Sequence, residues 1–226
     1  MFESFLSILY PRNCIHCQQC LVKGECNLCT ECLEKLPVNE GIGDFTELKH
    51  EVYSSFLFRN QFYYLKYYKN GITQSILHQI KYTGNVKLAM DIGLWYGNLL
   101  VKEGFQNQFD ILIPVPLNWK KLKIRGYNQS ECIGRGLIKV LHCDMDPELL
   151  VRKINNPTQT HKTRAERIQN VRNIFQVNRN IRDVSKRILL VDDVITTGAT
   201  LESCAEVLIK AGFKDISFAA IAYAKK

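Results

Sequence analysis

Long apolar runs are missing from this sequence. None approaches the roughly 20 residues a helix needs to cross a bilayer, so membrane insertion is not expected. Also missing are GxxxxGK(S/T) and a GxGxxG after an apolar strand, which removes the P-loop and dinucleotide-binding folds. There is no internal repeat and no low-complexity tract. The opening residues MFESFLSILYP are apolar but few, carry Glu3 and lack a basic leader, so a secretory signal is not expected. Phe2, Phe5, Leu6 and Leu9 fall at helical spacing before Pro11, which predicts a short helix packed on the body. A cytoplasmic location follows as the expectation.

The chain is otherwise ordinary in composition, with 46% apolar and 23% charged residues over 226 positions, enough to bury a full core. Its net charge of +8 is concentrated. Residues 119–135 carry a net +4 and residues 152–187 a net +8, leaving −4 for everything else. Two basic blocks in an otherwise acidic chain suit a polyanionic partner, either a phosphorylated small molecule or a nucleic acid. Six of the nine cysteines crowd between positions 14 and 32. Cys14-x2-Cys17 and Cys29-x2-Cys32 have the spacing of a four-thiolate zinc site. Cys20 and Cys26 extend the two pairs so that CxxCxxC occurs twice, but six cysteines do not fit two four-thiolate clusters and the Cys-Pro ending of bacterial iron–sulfur runs is absent.

Three regions follow: an N-terminal helix and cysteine module over 1–38, a variable region over 39–105, and a core over 106–226. In the second, EVYSSFLF and FYYLKYY read as a β-hairpin, followed by helices in ITQSILHQIKY and LAMDIGLWYGNLL. From Asp110 strands and helices alternate. DILIPVP, LLVRK, IFQV, RILLVDD and ISFAAIAYA read as strands, and YNQSECIGRGLIKVL and TLESCAEVLIKAG as helices. Residues 154–173 carry no clear element. Apolar strands alternating with helices predict an α/β fold, a parallel sheet covered by helices on both faces.

One stretch, RILLVDDVITTGATL at 187–201, carries chemistry. In an open α/β sheet, ligands bind at the carboxyl ends of strands, and Asp192 and Asp193 are expected there. The helix that starts near Gly198 would offer unpaired N–H groups to a phosphate, with Thr196, Thr197 and Thr200 adding hydroxyls. Two carboxylates about one sugar away would accept hydrogen bonds from vicinal hydroxyls. That pattern describes a ribose 5-phosphate site.

ILLVDDVITTGAT at 188–200 resembles the phosphoribosyl-pyrophosphate (PRPP) signature of type I phosphoribosyltransferases. IPVPL at 113–117, RGYNQ at 125–129, THKTRAERIQNVRNIFQV at 160–177 and the cysteine module together resemble the ComF family of competence-associated proteins, some of them GntX-like. The resemblance implies that Asp192 and Asp193 hold the ribose hydroxyls and that Val194, Ile195, Thr196, Thr197, Gly198, Ala199 and Thr200 wrap the 5-phosphate. It implies that Pro114, Val115 and Pro116 lie by the pyrophosphate, with Arg125, Asn128, Gln129, Arg164 and Arg167 as further phosphate contacts. Mg²⁺ would accompany PRPP, and a structural Zn²⁺ would sit on Cys14, Cys17, Cys29 and Cys32. By the same resemblance the chain is a phosphoribosyltransferase linked to DNA uptake, its acceptor recognised by a hood built from residues 40–105. The alternatives are a PRPP sensor or a single-stranded-DNA-binding scaffold working with a competence ATPase/helicase. The paired acids do not separate catalysis from sensing, and no histidine stands out as a general base.

Overall fold

A computed structural model describes residues 11–39, 58–153, 174–178 and 183–224. The elements are α1 (Thr30–Glu34), β1 (Gln61–Lys66), α2 (Ile72–Tyr82), α3 (Val86–Lys102), β2 (Ile111–Pro114), α4 (Trp119–Arg125), α5 (Gln129–Leu141), β3 (Asp144–Met145), β4 (Leu150–Arg152), β5 (Phe175–Val177), β6 (Ile188–Ile195), α6 (Ala199–Lys210) and β7 (Ile216–Tyr223). Five strands form one sheet in the order β1-β7-β6-β2-β3, and every neighbouring pair is parallel. β4 and β5 make a separate antiparallel pair. Among the described residues no helix is long and apolar enough to cross a membrane.

The parallel sheet follows from strands that are apolar on both faces. All eight residues of β7 are buried, as are Ile188–Val191 of β6. Alternate residues serve two cores. Leu189, Val191, Ala219 and Ile221 face the layer of α2, α3 and α5 with the cysteine module. Ile188, Leu190, Phe218 and Ala220 face α6 and the β4–β5 pair. The expected sheet with helices on both faces is therefore present.

One expectation changes. FYYLK was expected to pair within an antiparallel hairpin, but β1 pairs parallel with β7 at the sheet edge. Its residues Gln61–Leu65 are all buried, as a strand covered on both faces must be. Among the described residues its other side meets a short antiparallel bridge, Val38 to Leu65. The other half of that hairpin, up to residue 57, lies outside the described residues, as do the predicted helix at 2–9 and the segment 154–173. β1, α2 and α3 share one apolar cluster with β6 and β7. WKKLKIR, to which the sequence pattern assigns no element, folds as α4 although none of its residues is buried. Its signals are caps rather than an apolar stripe: the Asn118 side chain accepts from the Lys120 N–H, and Gly126 ends the helix with φ 80°.

The helix that positions the site is α5. The Asn128 side chain caps it by accepting from the Ser130 N–H, and its apolar face packs tightly on α3. The packing is close enough that a Cβ on Gly93 would stand 2.1 Å from the Ile133 carbonyl oxygen, and one on Gly136 2.1 Å from that of Met90. Only glycine lets these two helices approach at that crossing.

Candidate functional site

The carboxylate pair does not lie beyond the strand. β6 runs through both acids to Ile195, and Asp192 pairs with Ala220 of β7. The chain then turns through Thr196 and Thr197, which are exposed, and through buried Gly198. Gly198 sits at φ 75° and immediately precedes α6, whose first turn no side chain caps. A left-handed residue here favours glycine, and it lets the chain turn from the end of β6 straight into α6, whose first N–H groups have no intrahelical partner. Asp192 and residues 194–201 line a small recess of about 30 Å³.

Two residues not singled out from the sequence complete the acidic pair. Ser130, in the first turn of α5, donates its hydroxyl to Asp192 Oδ1 at 3.1 Å. The Asp193 backbone N–H donates to the same oxygen at 2.8 Å. Lys81, at the C-terminal end of α2, places Nζ 3.2 Å from Asp193 Oδ2, with both side chains less than one-fifth exposed. Burial, and then the charge of Asp193, push the Asp192 carboxyl up to about 7, against the pull of its two hydrogen bonds and Lys81.

The expected pyrophosphate-side residues gather at the end of β2. Pro114 is in register with Val191, and the Val115 N–H donates to the Val191 carbonyl at 2.8 Å. Pro116 follows. The Asn128 amide donates to the Val115 carbonyl at 3.0 Å, so the residue that caps α5 also fixes this loop. Arg125 donates to Gln129 Oε1 at 2.9 Å, and its guanidinium lies 5.5 Å from the Tyr82 ring centroid. Arg125, Asn128 and Gln129 thus stand beside the acids, joined to them through Ser130. Arg164 and Arg167 lie outside the described residues. A cavity of about 660 Å³ at the opposite, amino ends of the strands is bordered by the Asp110–Arg187 ion pair and has no part in this assembly.

In the N-terminal module, the sulfurs of Cys14, Cys17, Cys29 and Cys32 all lie within 4.8 Å of one another, and Cys17 and Cys29 are 3.6 Å apart. A tetrahedral zinc with bonds of about 2.3 Å sets its sulfurs about 3.8 Å apart, so the donor set fits. Burial alone would raise the Cys14 thiol, but the backbone N–H groups of Cys29, Cys17 and His16 outweigh it and hold it at about 6. Backbone donors aimed at a sulfur are what a metal-binding thiolate needs. Cys20 and Cys26 are exposed and stand outside the cluster, which separates the two cysteine patterns that spacing left mixed.

Comparison with known proteins agrees with this layout. The phosphoribosyl transferase domain family matches residues 129–226, from the first residue of α5 to the end of the chain. DNA utilization protein YhgH of Escherichia coli O157:H7 is 30% identical over 145 residues, 61% of this chain, and the chain spans the same 61% of that relative's length. Competence protein ComFC of Bacillus subtilis (strain 168) is 26% identical over 199 residues, 88% of this chain and 78% of its own. Competence protein F of Haemophilus influenzae is 33% identical over 108 residues, 47% of each chain. The chain is thus similar to phosphoribosyl transferase domains from α5 onward and to competence proteins along most of its length, with a four-cysteine cluster ahead of the matched domain.

Proposed function

We propose that this chain binds PRPP with Mg²⁺ at the carboxyl end of β6 and transfers its ribose 5-phosphate group to an acceptor, releasing pyrophosphate, in the service of DNA uptake. One observation carries this reading: two acids within a strand, directly before a threonine loop that turns at Gly198 into an uncapped helix N-terminus. Asp192 and Asp193 accept the ribose hydroxyls, and the 5-phosphate rests on the loop from Val194 to Thr200 and the first N–H groups of α6. Val115 and its proline neighbours border the pyrophosphate, with Arg125 and Gln129 beside them. Mg²⁺, when bound with PRPP, offsets the charge that gathers on the departing pyrophosphate. Cys14, Cys17, Cys29 and Cys32 hold a structural Zn²⁺, which cross-links a module too small for a core of its own.

Calorimetric titration of PRPP with and without Mg²⁺ tests the reading. Magnesium-dependent binding that the Asp192→Asn/Asp193→Asn double variant loses is the expected result; no heat from folded, zinc-loaded protein refutes it. A second reading has its own observation. Trp119 is 48% exposed on α4 among Lys120, Lys121 and Lys123, an aromatic on a basic face suited to single-stranded DNA. On that reading the chain is a PRPP-sensing or strand-handling scaffold that works with a competence ATPase/helicase. DNA affinity that falls steeply with salt, together with PRPP binding and no pyrophosphate release, would favour it.

A further inference from the structure

Beside the acidic pair lies a cleft of about 450 Å³, bounded on one wall by Lys81 and Tyr82 at the end of α2 with Gly84 just beyond it, and on the other by Lys121, Ile124 and Arg125 of α4. Its volume is within the range of small-molecule sites. Its two large apolar groups are unusually bare: Tyr82 is 68% and Ile124 84% exposed. Its three charged groups are all cations, and no carboxylate lines it. Lys81 reaches out of the cleft to Asp193, and Arg125 hydrogen-bonds the neutral Gln129. Among the described residues no acid pairs with Lys121 or Arg125.

Both walls lead to the proposed ribose site. Lys81 touches Asp193 directly, and from Arg125 the path runs through Gln129 to its neighbour Ser130, which bonds Asp192. A ligand in this cleft therefore lies beside Lys81, whose ammonium is 3.2 Å from Asp193, one of the two acids proposed to hold the ribose.

We propose that this cleft is the acceptor site and that its ligand is a planar heteroaromatic acid, a ring with an unprotonated nitrogen and a carboxylate; the proposal rests on the PRPP reading above. Tyr82 and Ile124 take the two faces of the ring, and the cations hold its carboxylate. The Arg125 guanidinium already lies over the Tyr82 ring, so the cation that would meet the acid is held in place before binding. In the transfer, the ring nitrogen's lone pair forms the bond to C1 of PRPP. The C1–O bond breaks, and pyrophosphate leaves with its electron pair. The nitrogen enters without a proton and afterwards carries a positive charge, which the acceptor's own carboxylate balances. No general base is required, consistent with a cleft that has no histidine or carboxylate in its lining.

The test uses full-length, zinc-loaded protein. Pyridine, pyrimidine and imidazole monocarboxylates and their neutral amides are titrated by calorimetry with and without PRPP and Mg²⁺, against the wild type and the Ile124→Asp and Lys121→Met variants. These two substitutions fall on exposed positions of α4 and leave the ribose site intact, so PRPP binding serves as the folding control. At least one acid is expected to bind about tenfold more tightly than its amide, with both variants losing that binding and keeping PRPP. Equal binding of acids and amides, or undiminished acid binding by Ile124→Asp, overturns the proposal. So does binding of a ten-residue oligothymidylate that both variants weaken while no acid binds, which would make the cleft part of a strand-binding surface. Loss of PRPP binding by the wild type refutes the PRPP reading instead, and the titrations without PRPP still decide whether the cleft takes the acid.

Discussion

The crossing of α3 and α5 makes the most exacting prediction. A Cβ on Gly93 would lie 2.1 Å from the Ile133 carbonyl oxygen and 3.2 Å from the Gly136 Cα, all of it backbone. Restoring ordinary contact near 3.4 Å pushes the helices apart by about 1 Å at that point, because backbone cannot rotate out of the way. Overpacking of this kind costs about 1–3 kcal/mol, and the rigidity of the obstacle puts Gly93→Ala at the upper end. Set against this is the gain of about 1 kcal/mol that alanine brings to any helix interior. Gly134→Ala, on the same α5, supplies the control. Its Cβ would meet the end of Leu112 at 2.8 Å and the Met145 sulfur at 3.1 Å, both free to turn. With equal propensity gain and a soft obstacle, Gly134→Ala should be close to neutral. Gly93→Ala and Gly136→Ala should each lose about 2 kcal/mol, or roughly 4–8 °C in a domain of this size. Since either substitution already opens the crossing, the double variant should lose less than the sum of the two. Thermal unfolding followed by circular dichroism reads all four. Equal melting temperatures for Gly93→Ala and Gly134→Ala would refute the argument, and strict additivity would refute the shared-contact part of it.

Other expectations follow from single groups. Because Asp192 is raised to about 7, the native state binds its proton more tightly than the unfolded chain between about pH 4 and 7, so this group's contribution to stability falls as pH rises across that window. Asp192→Asn should therefore gain on the wild type from pH 4 to 7.5, by about 2–4 kcal/mol, in denaturant melts; a constant difference would contradict the shift. Asp110, held by Arg187 at about 2, shows the opposite sign. Asp110→Asn should cost about 1 kcal/mol at pH 7, modest because both side chains are about one-third exposed, and the gap should close as pH falls from about 4 to 2. The Tyr96 hydroxyl is buried with no partner among the described residues, so Tyr96→Phe should leave stability unchanged or raise it by about 1 kcal/mol in the same melts. Zinc content by atomic absorption should be one per chain in Cys20→Ser and Cys26→Ser and should fall sharply in Cys17→Ser, since only the last is within the sulfur cluster.

The sheet was legible because its strands are apolar runs too short for helices, and the site loop because acids, threonines and glycine coincide there. What stayed hidden has a physical reason in each case. β1 looked like half of a hairpin because FYYLK is rich in aromatic residues and follows a short polar break, and nothing local says which strand it will join. α4 buries no side chain, so periodicity could not reveal it and only Asn118 and Gly126 mark its ends. Lys81 ends a helix as an ordinary basic residue; its meeting with Asp193, across 112 positions of chain, exists only in the fold. Ser130 lies one residue past a quoted motif, yet its role depends on where α5 crosses β6.

The same long-range contacts show why the cysteine module matters to a site it does not touch. His16 Nδ1 lies 3.1 Å from the Ser75 hydroxyl on α2, and the Asn85 amide, whose side chain caps α3, donates to Asn27 Oδ1 at 2.7 Å. Leu21, Leu28 and the buried cysteines share one apolar cluster with Ile76, Ile80, Leu88 and Ile92. α2 is thus held between the module and the sheet, with Lys81 at its far end against Asp193. The Tyr127 hydroxyl, donating to the Ile80 carbonyl, ties the start of α5 to that same end. Sulfur cluster, helix and carboxylate pair form one mechanical series: a change that loosens the sulfur cluster should be felt first as a displaced Lys81, and therefore as a weaker pull of that cation on Asp192.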